Sequence, residues 1–155
     1  LPATIEIQDH FDTVSLINGN STEVHQIFMN LCSNAAQAME KSGGILAVRI
    51  KDAEITEEAF FAQAGLKPGS YINLSVSDTG EGISPDIIES VFEPYFTRKK
   101  KGIGLGLALV KKLVNINNAK IEVRSKLGEG TSFIILFNEL IMIQPEVSDN
   151  AHNDN

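Results

Sequence analysis

Between Ile72 and Asp78 the chain alternates with a period of two. Ile72, Leu74 and Val76 are apolar, while Asn73, Ser75 and Ser77 between them are polar. Such alternation predicts a strand with one face on a core. Asp78 continues the apolar parity, so a carboxylate arrives on the core side at the strand's end. An unpartnered buried carboxylate costs on the order of several kcal/mol. Donors must therefore surround it, either backbone N–H groups of a tight turn or an amino group on a bound base. The turn follows at once in Thr79-Gly80-Glu81-Gly82-Ile83, and a second glycine cluster stands at Gly102-Ile103-Gly104-Leu105-Gly106-Leu107. Two such clusters, the first opened by an acid, suggest a nucleotide pocket with a cover. Neither common phosphate motif is present: GxxxxGK[ST] is absent, and the second cluster reads GxGxG after a polar loop, not GxGxxG opening a helix straight after a strand.

The 155 residues suffice for one domain with a proper core, and an apolar fraction of 43% fits a soluble globular chain. A net charge of −7 argues against nonspecific nucleic-acid binding. A single cysteine, Cys32, excludes an internal disulfide and a cysteine metal cluster, and its place inside a predicted helix reads as a packed thiol. No apolar run is long enough to cross a membrane, and no signal peptide is present. The start at Leu1-Pro2, without methionine, reads as a fragment of something longer.

Thr4–Ile7 and Val14–Ile17 read as two short strands in a hairpin-like start. Asn20-Ser21-Thr22 carries helix-capping chemistry, and a helix is predicted over Thr22–Lys41 with Val24, Ile27, Phe28, Leu31, Ala35, Ala38 and Met39 on one face. Ser42-Gly43-Gly44 ends it. Ile45–Lys51 reads as a strand and 53–69 as a polar, acidic excursion with a helical turn or two near 57–64. Ser84-Pro85-Asp86 opens a short helix, and Phe92–Lys101 is loop. Ile103–Asn117 is a second long helix, apolar nearly all round at its start and so expected to be buried. Lys120–Ser125 and Thr131–Phe137 form a final hairpin, and the residues after Asn138 read as a polar linker or disordered tail. Alternating strands with helices on one face predict a two-layer α/β sandwich on a mixed, mostly antiparallel sheet.

Asn30, Asn34 and Gln37 lie within about 60° of one another on the first long helix. They border its apolar face, where side chains reach the rim of the core. Amide oxygens there can ligate a hard cation, with phosphate oxygens and waters completing an octahedron. Three solvated polar residues at a helix edge would look the same in isolation.

Taken in order, these segments resemble the catalytic ATP-binding domain of sensor histidine kinases, in the superfamily shared with gyrase, heat-shock chaperone ATPases and mismatch-repair ATPases. Asn30–Met39 resembles the N box, Asp78–Ile83 the first glycine box, Phe92–Thr97 the F box and Gly102–Leu107 the second glycine box. Gly128-Glu129-Gly130-Thr131 also fits. The resemblance covers about residues 5–137 and implies a left-handed β-α-β sandwich (the Bergerat fold) with ATP held under a flexible lid. It implies that Asp78 accepts from the adenine amino group, partly through water shared with Thr131. Gly80, Gly82 and Ile83 would lie along the base, the glycines allowing close backbone approach. Asn34 would ligate Mg²⁺ with Asn30 assisting, and Gln37 would stand on the phosphate side where many relatives carry lysine. Gly102, Gly104, Leu105, Gly106 and Leu107 would lead phosphates onto a helix start, whose free N–H groups favour anions. Phe92, Phe96 and Thr97 would bound the lid, with Lys99 as its cation at the γ-phosphate. The segment from Thr97 to Gly102 looks about two residues shorter than the family's usual lid.

Asn30 and Lys99 are thus the catalytic candidates. Asn30 stands where chaperone-type ATPases resemble one another in carrying a glutamate base, so water activation should be poor, which suits a phosphotransferase. None of His10, His25 and His152 lies in an acceptor-helix motif. The resemblance therefore implies a separate dimerisation and phosphoacceptor domain, a downstream receiver domain as partner, and a cytoplasmic place with no direct membrane contact, in a parent that is itself free or membrane-anchored. Rival readings are a water-hydrolysing ATPase of the same superfamily, an anti-sigma-type serine kinase, and a degenerate nucleotide-binding or docking module.

Overall fold

The computed structural model describes residues 4–13, 15–58, 66–96 and 106–140. Strand β1 (Ile5–Asp12) leads through helix α1 (Ser21–Ala38) to β2 (Gly44–Ile55) and β3 (Gly69–Asp78). A single 3₁₀ turn (Ile88–Ser90) precedes helix α2 (Gly106–Ile116), and β4 (Lys120–Lys126) and β5 (Gly130–Asn138) close the fold. The five strands form one sheet in the order β1-β2-β3-β5-β4. β1 pairs parallel with β2, and every other pairing is antiparallel.

The parallel edge pair corrects the expected opening hairpin. Parallel neighbours need a crossover, and α1 supplies it. The Ser15–Asn18 segment pairs instead with the far end of β5: Ile17 bridges to Glu139, and Asn18 N–H donates to the Asn138 carbonyl at 2.8 Å. β2 is also longer than its alternating core suggested, running to Ile55 opposite Gly69. Asp52 and Glu54 keep the parity of Leu46, Val48 and Ile50 but are exposed, because the strand outruns the helix layer. They accept hydrogen bonds from Thr13 (2.6 Å) and Ser70 (2.8 Å). The rest of the 53–69 excursion, at 59–65, and the tail from 141 lie outside the described residues.

α1 begins where capping chemistry placed it. The Asn20 side chain accepts from Glu23 N–H at 3.0 Å, satisfying one of the helix's free donors. The helix ends at Ala38, a little before the expected Lys41, and Gly43 takes a left-handed φ of 66° as its N–H bonds the Met39 carbonyl at 2.8 Å. Ile27, Leu31, Ala35 and Met39 follow the four-residue spacing of one helix face and are all buried. They pack with Val110, Leu113 and Val114 of α2 onto Val48, Ile72, Leu74, Val76, Phe133, Ile135 and Phe137 of the sheet. Burial in α2 is deepest at Val110, Leu113 and Val114 and falls away toward both ends. Leu107, Ala108 and Leu109 are only half-buried, which corrects the expectation of a buried start: the first turn stands beside α1 at the open end of the core.

At the opposite end the two helices are tied together. Asn117, 7% exposed, accepts from Asn20 N–H (2.8 Å) and donates to Glu23 Oε2 (3.1 Å) and the Leu113 carbonyl (2.8 Å). Cys32 is half-buried, and burial pushes its thiol above the usual range. Among the described residues no helix is long and apolar enough to cross a membrane.

Asn117→Ala removes all three bonds and leaves Asn20 N–H unpartnered, so urea denaturation should show a loss of about 2–3 kcal/mol. Because the raised pKa lowers the thiolate fraction near neutrality, Cys32 should react with iodoacetamide more slowly in the native protein than in the urea-unfolded chain at pH 8. Its rate should keep rising as pH passes the ordinary thiol value of about 8.5.

Candidate nucleotide-binding site

Register across the sheet explains the site. On the helix-facing side, Val48, Val76, Phe133 and Val123 form one cross-strand row, and Ile50, Leu74, Ile135 and Ile121 the next. Both are wholly apolar. The row beyond them reads Leu46, Asp78, Thr131 and Ser125. Directly opposite residues share a face, so the core ends in a polar rung of acid and two hydroxyls. Asp78 and Thr131 are 8% and 7% exposed, confirming the parity argument for a core-side carboxylate.

The Asp78 carboxylate accepts from the N–H of Gly80 at 2.8 Å, as the tight turn was expected to provide. Thr79 anchors the same turn to β2, its hydroxyl oxygen accepting from Ile45 N–H at 3.0 Å. The glycines have a further purpose beyond the close approach to a base that the sequence suggested. A Cβ on Gly80 would stand 2.7 Å from the Ala38 carbonyl oxygen and 2.9 Å from the Ala38 Cβ. Gly82, at φ 76°, abuts the Lys126 carbonyl, which a Cβ would strike. The acid-bearing turn is thus wedged between the end of α1 and the β4–β5 hairpin. Gly128 N–H donates to the Glu81 carbonyl at 2.7 Å, and Ile83 N–H donates to Ser125 Oγ at 2.7 Å. Ser125 was not singled out in the sequence. Its signal was the parity of Ile121 and Val123, which carries a hydroxyl to the core side of β4.

The amide stripe lies where expected. Asn30 and Asn34 are half-buried beside Leu31 and Ala35, whereas Gln37 is exposed. Asn30 Oδ1 is 4.0 Å from the place a Gly106 Cβ would occupy, so the amide faces the first residue of α2. Leu107 follows in that turn. Among the described residues no group of three His, Cys, Asp or Glu side chains could hold a metal ion. Phe92 packs edge-on against Phe133, centroids 6.0 Å apart, with Lys111 Nζ 5.8 Å from its ring. Phe96 is half-buried, and Tyr95 between them is exposed at a left-handed φ of 66°. The structure therefore sets Asn30 opposite Gly106 where the two helices meet, and Asp78 beside Thr131 in the polar rung, whose turn packs on Ala38 at the end of α1. Thr97, Lys99, Gly102, Gly104 and Leu105 lie outside the described residues.

Residues 19–141 match the sequence profile of the histidine kinase-, DNA gyrase B- and HSP90-like ATPases. The chain belongs to this ATPase family. It is 33% identical over 135 residues to the sensor kinase CckA of Brucella abortus (strain 2308), spanning 86% of this chain and 14% of CckA. It is likewise 33% identical over 133 residues to the sensor histidine kinase ZraS of Escherichia coli (strain K12), spanning 84% of this chain and 25% of ZraS. The chain thus spans a quarter or less of these relatives. Among solved structures, the mycobacterial sensor histidine kinase MprB superposes with a TM-score of 0.68 at 27% identity, over 89% of this chain and 84% of that one. Full-length ShkA in complex with AMPPNP superposes with a TM-score of 0.64 at 26% identity, over 89% of this chain and 27% of that one. A mixed, mostly antiparallel sheet with helices on one face is the architecture of this ATPase family.

Gly82→Ala should cost about 2 kcal/mol or more in thermal or urea denaturation, since it combines a left-handed backbone with a collision against a backbone carbonyl. Gly128→Ala, at φ 83° in open space, should lose only the backbone term, about 1–2 kcal/mol.

Proposed function

We propose that this chain is the catalytic ATP-binding domain of a sensor histidine kinase, and that it donates the γ-phosphoryl group of Mg-ATP to a histidine on a separate dimerisation and phosphoacceptor domain. The observation that carries the reading is the buried Asp78–Thr131 rung, an acid and a hydroxyl set where the apolar rows of the sheet end. A buried acid matches the amino group of a base, and a glycine-rich helix start matches anionic oxygens on the same ligand. Family membership and the AMPPNP-bound ShkA relative support the same assignment.

In this reading Asp78 accepts from the adenine amino group. Asn34 and Asn30 offer amide oxygens to Mg²⁺, whose charge offsets that of the phosphates. The glycine-rich start of the second long helix, over Gly102–Leu107, receives phosphate oxygens, and Lys99 of the lid serves the γ-phosphate. No carboxylate occupies the Asn30 position, so water is not deprotonated there and transfer to an imidazole is favoured over hydrolysis. The domain's contribution is positioning and electrostatics, with no covalent step of its own. The domain includes Glu139 and Leu140, which pair with Ile17 and Leu16, and the polar residues after them serve as a linker. The phosphorylated histidine passes its phosphate to a receiver domain, and the domain works in the cytoplasm without touching membrane or nucleic acid.

Calorimetric titration with a nonhydrolysable ATP analogue tests the assignment. Wild-type protein should bind in a Mg²⁺-dependent manner, and Asp78→Asn should weaken binding by about tenfold to a hundredfold, the loss of a hydrogen bond to a charged acceptor. A wild type that binds no nucleotide would leave a docking module in place of a kinase domain.

A further inference from the structure

Ser125 has three polar neighbours and a single hydroxyl hydrogen. The Ile83 N–H, 2.7 Å away, can only donate to it. The Gly130 carbonyl oxygen, 2.9 Å away, can only accept from it. The third neighbour, Thr131 Oγ1 at 2.8 Å, can do either. Since the carbonyl has no hydrogen to give, the Ser125 hydrogen points to Gly130, and Ser125 must accept from both Ile83 and Thr131. The Thr131 hydrogen is thereby committed to Ser125. Thr131 then presents only lone pairs to its other cross-strand neighbour, Asp78, which is itself an acceptor.

We propose that Ser125 is a specificity-determining positioning residue. By taking the Thr131 hydrogen, it leaves the side chains of the Asp78–Thr131 pair presenting acceptors to a base, and so favours a 6-amino purine over a 6-oxo purine at that position. The inference rests on the ATP reading of the site and adds a cause of base selection beyond the Asp78 charge. It holds whether the base meets the rung directly or through water. A water between Asp78 and Thr131 gives both its hydrogens to them and turns a lone pair toward the base. An exocyclic N–H satisfies that lone pair, and a keto oxygen opposes it. Without Ser125, the Thr131 hydroxyl can turn and donate to a keto oxygen.

Competition titrations with Mg-ATP and Mg-ITP against a fluorescent ADP analogue test this on the wild type, Ser125→Ala, Ser125→Thr and the double variant Ser125→Ala/Thr131→Val. The wild type should prefer ATP. Ser125→Ala should narrow that preference by roughly tenfold, the worth of one hydrogen bond gained in place of an unpaired polar contact. Ser125→Thr, which keeps the hydroxyl, should restore the preference. The double variant has no hydroxyl left to serve a keto oxygen and should lose the gain for ITP. Mere loosening of the Gly82–Ile83 turn weakens both nucleotides alike, so an unchanged ratio in Ser125→Ala with both affinities reduced would overturn the proposal. A wild type that binds neither nucleotide would overturn the ATP reading itself, a result separable from an unchanged ratio in a wild type that binds ATP.

Discussion

One buried carboxylate organises the end of the fold that carries the site. Asp78 lies where the apolar rows of the sheet stop, and its ionised form survives there only with donors in reach. One donor is the N–H of Gly80, and that bond requires the chain to turn sharply at the strand's end. The turn in turn has to fit between Ala38 of α1 and Lys126 of β4, which leaves no room for side chains at Gly80 and Gly82. Gly130 is pressed against the Asp78 carbonyl from the other strand. Helix end, strand end and hairpin therefore converge on one acid, each contributing backbone.

The hydrophobic layer decides where that convergence occurs. Val76 and Phe133, in the row next to Asp78 and Thr131, are 1% and 2% exposed. Stepping one row outward changes the chemistry of three neighbouring strands at once, from Val76 to Asp78, Phe133 to Thr131 and Val123 to Ser125, while β2 stays apolar from Val48 to Leu46. Antiparallel register is what aligns these changes into a single polar edge. A slip of one residue in β5 would turn Thr131 and its apolar partners to the solvated face and leave the acid beside a different neighbour. The packing that stabilises the domain and the register that assembles the site are thus the same constraint.

Much of this could be read from the residues because their patterns are local. The parity through Ile72, Leu74 and Val76 placed Asp78, the four-residue spacing of Ile27, Leu31, Ala35 and Met39 gave the buried face of α1, and Asn20 announced its start. What escaped were pairings between distant segments. Thr4–Ile7 reads as a short strand in isolation, but nothing in its own sequence says that it runs on to Asp12, or that it lies parallel to β2 and not back against residues 14–17. Asp52 and Glu54 looked like the end of a strand because they interrupt the core-side parity, yet the sheet simply continues beyond its helical cover. The need for glycine at Gly80 was assigned to a ligand, when Ala38 crowds the same atom. Ser125 passed as an ordinary strand serine because its importance comes from Ile83 and Thr131, far away in sequence.

The Asn117 bonds have a mechanical consequence. They lock the end of α2 to the start of α1, while the opposite end of α2 faces Asn30 without such a clasp among the described contacts. Ten residue steps separate Gly106 from Ile116, a lever of about 15 Å at helical rise. With its fulcrum at Asn117, a tilt of about 5° displaces the tip of that lever by about 1 Å. The molecule is laid out like tongs, with the rivet at Asn117 and the gap between Asn30 and Gly106 at the far end of the lever.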